Sequence, residues 1–134
     1  MKRLLIIILA AVLLTTAACA STDDSSELFI TVQDWTGWSE KQPQPTTTHV
    51  RLRTGESATV DVVGGELTVT VTRVTRTKVT ITTNRAMSPR HTGGGIDLSS
   101  KQQRFTFARD ATLQITTPTM DAGTTLTFKV QGLG

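Results

Sequence analysis

Leu67-Thr68-Val69-Thr70-Val71-Thr72 alternates strictly between apolar and hydroxylated side chains. Successive side chains of an extended chain point to opposite faces, so this run places Leu67, Val69 and Val71 on one face and three threonines on the other. A half-buried antiparallel strand is the expectation. The phase breaks at Arg73-Val74, which predicts a bulge or a strand end, and resumes with Val79 and Ile81 after the polar segment Thr75 to Lys78. A hairpin follows as the simplest reading.

The same grammar extends outward in both directions. Candidate strands are Leu28 to Val32, His49 to Leu52, Ala58 to Val63, Gln103 to Ala108, Ala111 to Thr116 and Thr124 to Val130. Turn signals separate them at Thr54-Gly55-Glu56, Gly64-Gly65, Arg109-Asp110 and Asp121-Ala122-Gly123. About a fifth of the residues are threonine, whose branched Cβ suits a pleated surface, and no helical apolar periodicity follows the first strand. About eight short strands at this spacing predict an all-β fold, a small antiparallel β-sandwich. Alternation nominates Ile30, Val50, Leu52, Val60, Val62, Leu67, Val69, Val71, Val79, Ile81, Phe105, Phe107, Leu113, Ile115, Leu126, Phe128 and Val130 as its core.

The N-terminus has a different logic. Lys2 and Arg3 precede an apolar run from Leu4 to Leu14, followed by the small-residue stretch Thr15-Thr16-Ala17-Ala18 and then Cys19. These are the three regions of a secretory signal. As a helix the run covers only about half of a roughly 30 Å hydrocarbon core, and polar residues follow at once, which argues against a permanent span. Cys19 is the only cysteine, so no intramolecular disulfide can form.

Ala17-Ala18-Cys19 resembles the bacterial lipobox, with Thr16 standing where that pattern prefers leucine. The resemblance implies cleavage before Cys19, which becomes the mature N-terminus and receives a diacylglyceryl group, with palmitate-type acyl chains. Residues 1–18 are then a signal peptide, 19–26 a lipidated cysteine and tether, and 27–134 the displayed domain. Two or three acyl chains hold stably where one holds marginally. The stretch Ser21 to Ser26 is polar and acidic, and predicts a flexible tether. The implied address is a cell membrane, lipid-anchored on the extracellular side, or the outer membrane of a two-membrane cell. Ala20 is not the aspartate that would imply inner-membrane retention.

Removing Lys2 and Arg3 leaves twelve basic against eleven acidic residues, so the formal net charge falls from +3 to +1. The basic character of the precursor therefore lends no support to nucleic-acid binding. With about 115 residues left, one domain with one modest core is expected, stabilised by burial alone.

Two further likenesses are visible. Asp121-Ala122-Gly123 leading into Leu126-Thr127-Phe128 resembles the approach to strand F of immunoglobulin domains, with Thr125 and Thr127 at the places of the family's tyrosine and cysteine. It implies an immunoglobulin-like sandwich. Leu52-Arg53-Thr54-Gly55-Glu56-Ser57, followed by Thr68 to Val74 and Val79, looks like the opening strands of a small cytoplasmic RNA-binding regulator of carbon storage. A secretion signal contradicts that function, and no nucleic-acid partner is expected.

Chemistry-bearing residues are sparse. His49 and His91 stand in no paired-ligand spacing, so no metal is expected and no cofactor beyond the lipid on Cys19. Ser88 and Ser99 flank His91 without a nucleophile motif. The stretch Asn84 to Gly95 reads as a surface connection between strands, while its glycines with Arg85, Arg90 and His91 offer an alternative, an anion site. Trp35 and Trp38 follow the first strand and read as a cap on one open end of the sandwich, or alternatively as an aromatic platform for sugars or peptides. Asp61, Glu66 and Asp97 are carboxylates that no motif pairs.

The expected function is thus a non-enzymatic interaction or envelope-associated module, its partner an envelope protein or glycan. The alternatives are a carbohydrate or peptide binder using Trp35 and Trp38, and a small envelope hydrolase or accessory subunit.

Overall fold

The computed structural model describes residues 26–90, 96 and 98–132. The expected signal helix, Cys19, the tether up to residue 25, His91, the glycines 93–95 and Asp97 lie outside the described residues.

The described residues form eight antiparallel strands: β1 (Glu27–Thr36), β2 (Thr46–Arg51), β3 (Ser57–Val62), β4 (Gly65–Val74), β5 (Lys78–Pro89), β6 (Gln102–Ala108), β7 (Leu113–Thr116) and β8 (Ala122–Gln131). The sheet runs β2-β1-β8-β7-β5-β4-β3, with β6 paired to β5. It wraps nearly into a barrel around one hydrophobic core. β5 joins the two sides: Lys78 to Thr82 lies between β4 and β6, whereas Ser88 and Pro89 pair with β7.

β4 behaves as its alternation requires. Leu67, Val69 and Val71 are buried, and Thr68, Thr70 and Thr72 are half-buried on the other face. Threonines pair across strands on the outer faces: the hydroxyls of Thr59 and Thr68 share a 3.0 Å hydrogen bond, and those of Thr80 and Thr106 one of 2.9 Å. Such pairs are the local unit of sheet stabilisation. The expected irregularity at Arg73 is a register shift between Val71 and Arg73, beside which the Thr72 hydroxyl donates to the carbonyl of Thr80 at 3.2 Å.

The β3–β4 hairpin pairs Val62 with Gly65 and leaves Val63 and Gly64 as a two-residue tip. Gly64 has φ of +97°, a left-handed conformation that such a tight turn demands and a side chain resists.

The expected core is buried, apart from Val50, Leu113 and Val130, which are partly buried against it. Leu28, Val32 and Met87 join it. Met87 marks the main correction. The stretch Asn84 to Gly95, expected to be a surface connection, is strand as far as Pro89, and Met87 and Ser88 are fully buried within it. A second register shift, between Thr82 and Met87, throws the alternation out of phase there. The polar residues before Met87 bond to backbone groups: the Thr83 hydroxyl donates to the Arg85 carbonyl at 2.7 Å, and Asn84 Oδ1 accepts from the Thr68 amide of β4 at 2.8 Å.

The domain also begins one residue early. Ser26, expected in the tether, is buried; its carbonyl accepts from the Leu52 amide at 3.1 Å and its hydroxyl from Arg109 at 3.2 Å. Ser26 defines one end of the molecule, together with Arg109 and Thr75, which Arg109 also contacts. At about 3.3 Å per residue, the ten residues of β1 carry the chain about 30 Å to the opposite end, at Thr36.

Candidate functional site

The functional candidates gather toward the Thr36 end. Even-numbered residues of β1 from Leu28 to Val32 face the core, so Gln33 and Trp35 face outward. β1 extends four residues beyond its expected end, and Trp35 is a strand residue paired with Gly123 of β8. Gly123 has no side chain, and the indole occupies the space above it: a Cβ there would stand 2.7 Å from Trp35 Cζ2. The ring covers Thr116, which is fully buried, and Trp35 Nε1 donates to its hydroxyl at 3.4 Å. Trp35 thus caps the outer face of the sheet, where an open end of the sandwich was expected.

Beneath it lies a network of threonines. The Thr125 hydroxyl donates to Thr116 Oγ1 at 3.3 Å, and Thr116 Oγ1 donates to the Thr124 carbonyl at 3.0 Å. Thr117 Oγ1 accepts from the Thr124 amide at 3.0 Å and shares a 3.0 Å bond with Thr119 Oγ1. On the inner side, Thr124 Oγ1 donates to Asp34 Oδ1 at 2.6 Å and accepts from the Val63 amide at 2.8 Å, stitching β8 to both β1 and the end of β3. Buried polar groups linked this way hold one geometry, because each displacement leaves another group unpaired.

Arg90 reaches the same face from β5. Its amide donates to the Gln114 carbonyl at 3.1 Å, Nη1 donates to Thr125 Oγ1 at 3.3 Å, and its backbone bridges to Ile96. The third wall is the segment after β1, folded back against the strand. The Gln42 side-chain amide engages both backbone groups of Thr36, accepting from its N–H at 2.8 Å and donating to its carbonyl at 3.2 Å. Gln33 Nε2 donates to the carbonyls of Asp34 and Pro43.

The result is an open cleft of about 320 Å³ lined by Gln33, Trp35, Thr36, Gln42, Arg90, Ile96 and Thr125. Its surface is mostly apolar, and among the described residues its lining has the Arg90 guanidinium and no acidic side chain. Among the described residues Arg90 forms no ion pair. The hydroxyl oxygen of Thr36 is buried with no hydrogen-bond partner among them.

The other expected residues stand apart. Trp38 is 71% exposed beyond the end of β1 and does not line the cleft. Arg85 lies over the Gly64-Gly65 turn, with Nη2 3.2 Å from the place of a Gly64 Cβ. Of the three residues considered from the sequence as an anion site, Arg90 lines the cleft, Arg85 does not, and His91 lies outside the described residues. Asp61 and Glu66 are exposed register partners on β3 and β4. Asp61 and Asp34 also line a polar groove of about 440 Å³ between β1, β2 and β3. Ser88 is buried, and Ser99 is exposed.

Among the described residues no three His, Cys, Asp or Glu side chains converge as metal ligands, and no helix is long and apolar enough to cross a membrane. Gln33, Thr36, Gln42, Ile96 and Thr125 were not nominated by sequence reasoning. Only Gln33 carried a local signal, since it shares the outward parity of Trp35 two residues on. Comparison with protein-family models, characterised proteins and solved structures finds no match.

Proposed function

We propose that this chain is a membrane-anchored lipoprotein displaying a non-enzymatic β-sandwich module that contacts an envelope partner. One observation supports the reading most: Ser26, where the tether would join, lies at the opposite end of β1 from Thr36, beside which the Trp35–Arg90 cleft opens. A lipid on Cys19 followed by the short acidic tether would hold the Ser26 end toward the bilayer and leave the cleft facing away. The pairing of a signal peptide with Cys19 carries the anchor itself.

Labelling with an acyl-chain analogue of palmitate, followed by membrane fractionation, tests the anchor. Wild type takes the label and sediments with membranes, whereas Cys19→Ala is unlabelled and released. Globomycin, which blocks lipoprotein signal cleavage, leaves a longer, membrane-held precursor. Unchanged processing and membrane retention in Cys19→Ala overturn the lipoprotein reading.

A second reading, a binding domain for a carbohydrate or peptide, is favoured by the convergence of Trp35 and Arg90 on one cleft. An indole face with a nearby cation that has no ion-pair partner among the described residues supplies both apolar contact and a directional charged donor. Trp38 has no part in it. The hydrolase reading gains no comparable support, because Ser88 is buried and the exposed carboxylates Asp61 and Glu66 lie away from the cleft.

A further inference from the structure

We propose that the Trp35–Arg90 cleft binds a carboxylate-bearing saccharide, with a sugar ring against the indole and its acid group on the guanidinium. The inference rests on the binding-domain reading and names its ligand class.

Three features lead to it. The first is charge. Nη1 of Arg90 is directed to Thr125, and of the five N–H donors that a guanidinium carries the others bond no described side chain, which leaves them to an anion as far as the described residues go. Among the described residues no acidic side chain lines the cleft to compete for them. Arg90 is exposed, so its approach to a ligand carries a small desolvation cost.

The second is preorganisation. Trp35 is held by the glycine beneath it and by Thr116, and Arg90 by its backbone bond to Gln114 and its side-chain bond to Thr125. A ligand meeting these groups orders little that is not already ordered, which favours affinity.

The third separates a sugar from a peptide. Peptides that bind sheets usually add a strand to an open edge, where unpaired backbone groups await them. The floor of this cleft is a sheet face whose strands are already paired on it, β1 to β8 and β8 to β7. The backbone groups of Thr36 at its rim are taken by Gln42. Recognition is left to side chains: a flat aromatic surface, a cation and the apolar Ile96. That set suits a ring with an apolar face and a pendant carboxylate.

The test uses the lipid-anchored chain in detergent, with Trp38→Phe so that Trp35 is its only tryptophan. The probes are N-acetylmuramic acid and N-acetylglucosamine, which differ by the lactyl carboxylate, and a glucuronic-acid oligosaccharide. Trp35 fluorescence is expected to change saturably with the two acidic probes. The neutral sugar is expected to bind about tenfold or more weakly, the discrimination that a charge-assisted hydrogen bond supplies. Arg90→Gln removes that difference while leaving the melting temperature unchanged, and raised salt weakens only the acidic probes. Trp35→Phe keeps an aromatic ring and serves, by calorimetry, as the variant that weakens all the sugars together.

Equal binding of acidic and neutral sugars, or indifference to Arg90→Gln, overturns the acidic-sugar proposal and leaves the binding-domain reading standing. Saturation by short peptides but by no sugar also overturns it. No response to any sugar or peptide overturns both. The Cys19 experiment is independent of all these outcomes.

Discussion

Replacing Gly123 with alanine adds one methyl group to a strand, and two opposing effects set its consequence. Gly123 does not have a positive φ, so alanine fits its backbone. Loss of glycine's freedom in the unfolded chain would by itself stabilise the protein by about 0.4–1 kcal/mol. Against that, the new Cβ would stand 2.7 Å from Trp35 Cζ2 and 2.6 Å from Thr119 Oγ1, and closer still to Thr117 Oγ1. Carbon atoms do not approach so closely, and Thr117 cannot simply withdraw. Its hydroxyl is the acceptor for the Thr124 amide, a buried donor that would be left unpaired.

Overpacking costs about 1–3 kcal/mol, and an orphaned buried amide about 1–3 kcal/mol more. The steric side wins, and the expected net loss is about 2–4 kcal/mol. For a domain of this size that lowers the melting temperature by about 10–20 °C. Urea and thermal melts in the Trp38→Phe background measure the loss. Trp35 emission without denaturant reports whether the indole has been lifted toward water, which would shift it to longer wavelength. A Gly123→Ala protein as stable as its parent, with unshifted emission, would refute the claim that the indole is seated on this glycine.

Three further outcomes follow from the same structure. Gly55 has φ of +98° and nothing within 4 Å of a Cβ, so Gly55→Ala carries backbone strain alone and is expected to cost about 1–2 kcal/mol with no change in Trp emission, as measured by urea melts. Thr124→Val removes the link between Asp34 and the Val63 amide, and is expected to cost about 2–3 kcal/mol in chemical denaturation. Met87→Ala should cost about 2–5 kcal/mol by leaving a cavity, whereas exposed Ala86→Ser stays within about 0.5 kcal/mol; equal effects at the two positions in thermal melts would contradict the burial of this stretch.

The clearest part of the fold is legible where a strand presents one face to the core. β4 is written in its alternation because three threonines and three apolar residues leave only one way to turn. The bulge at Arg73 is visible for the same reason, since a break in phase marks a break in register. β5 loses its legibility where it passes from the β4–β6 pair to β7. There the register shifts, Asn84 and Thr83 bond to nearby backbone, and Met87 is buried although no pattern leads up to it. The far half of β1 was hidden differently: Asp34 ends the run of apolar core-facing residues, and although it stays exposed it is held in the strand by the Thr124 hydroxyl of β8, a partner ninety positions away.

The candidate site divides along the same line. Trp35 and Arg90 stood out in the sequence as isolated large or charged residues in unusual surroundings. The sequence alone determined an all-β antiparallel fold with most of its core, and the absence of an intramolecular disulfide, because periodicity and residue counting are local properties of the chain. Only the tertiary structure decided that Trp35 lies over Gly123, that Arg90 meets it across β8 while Arg85 and Trp38 do not, and that the cleft opens far from Ser26. Residues separated by more than fifty positions become neighbours through strand pairing and register. Those depend on the packing of the whole sheet, and no short stretch of the chain encodes them.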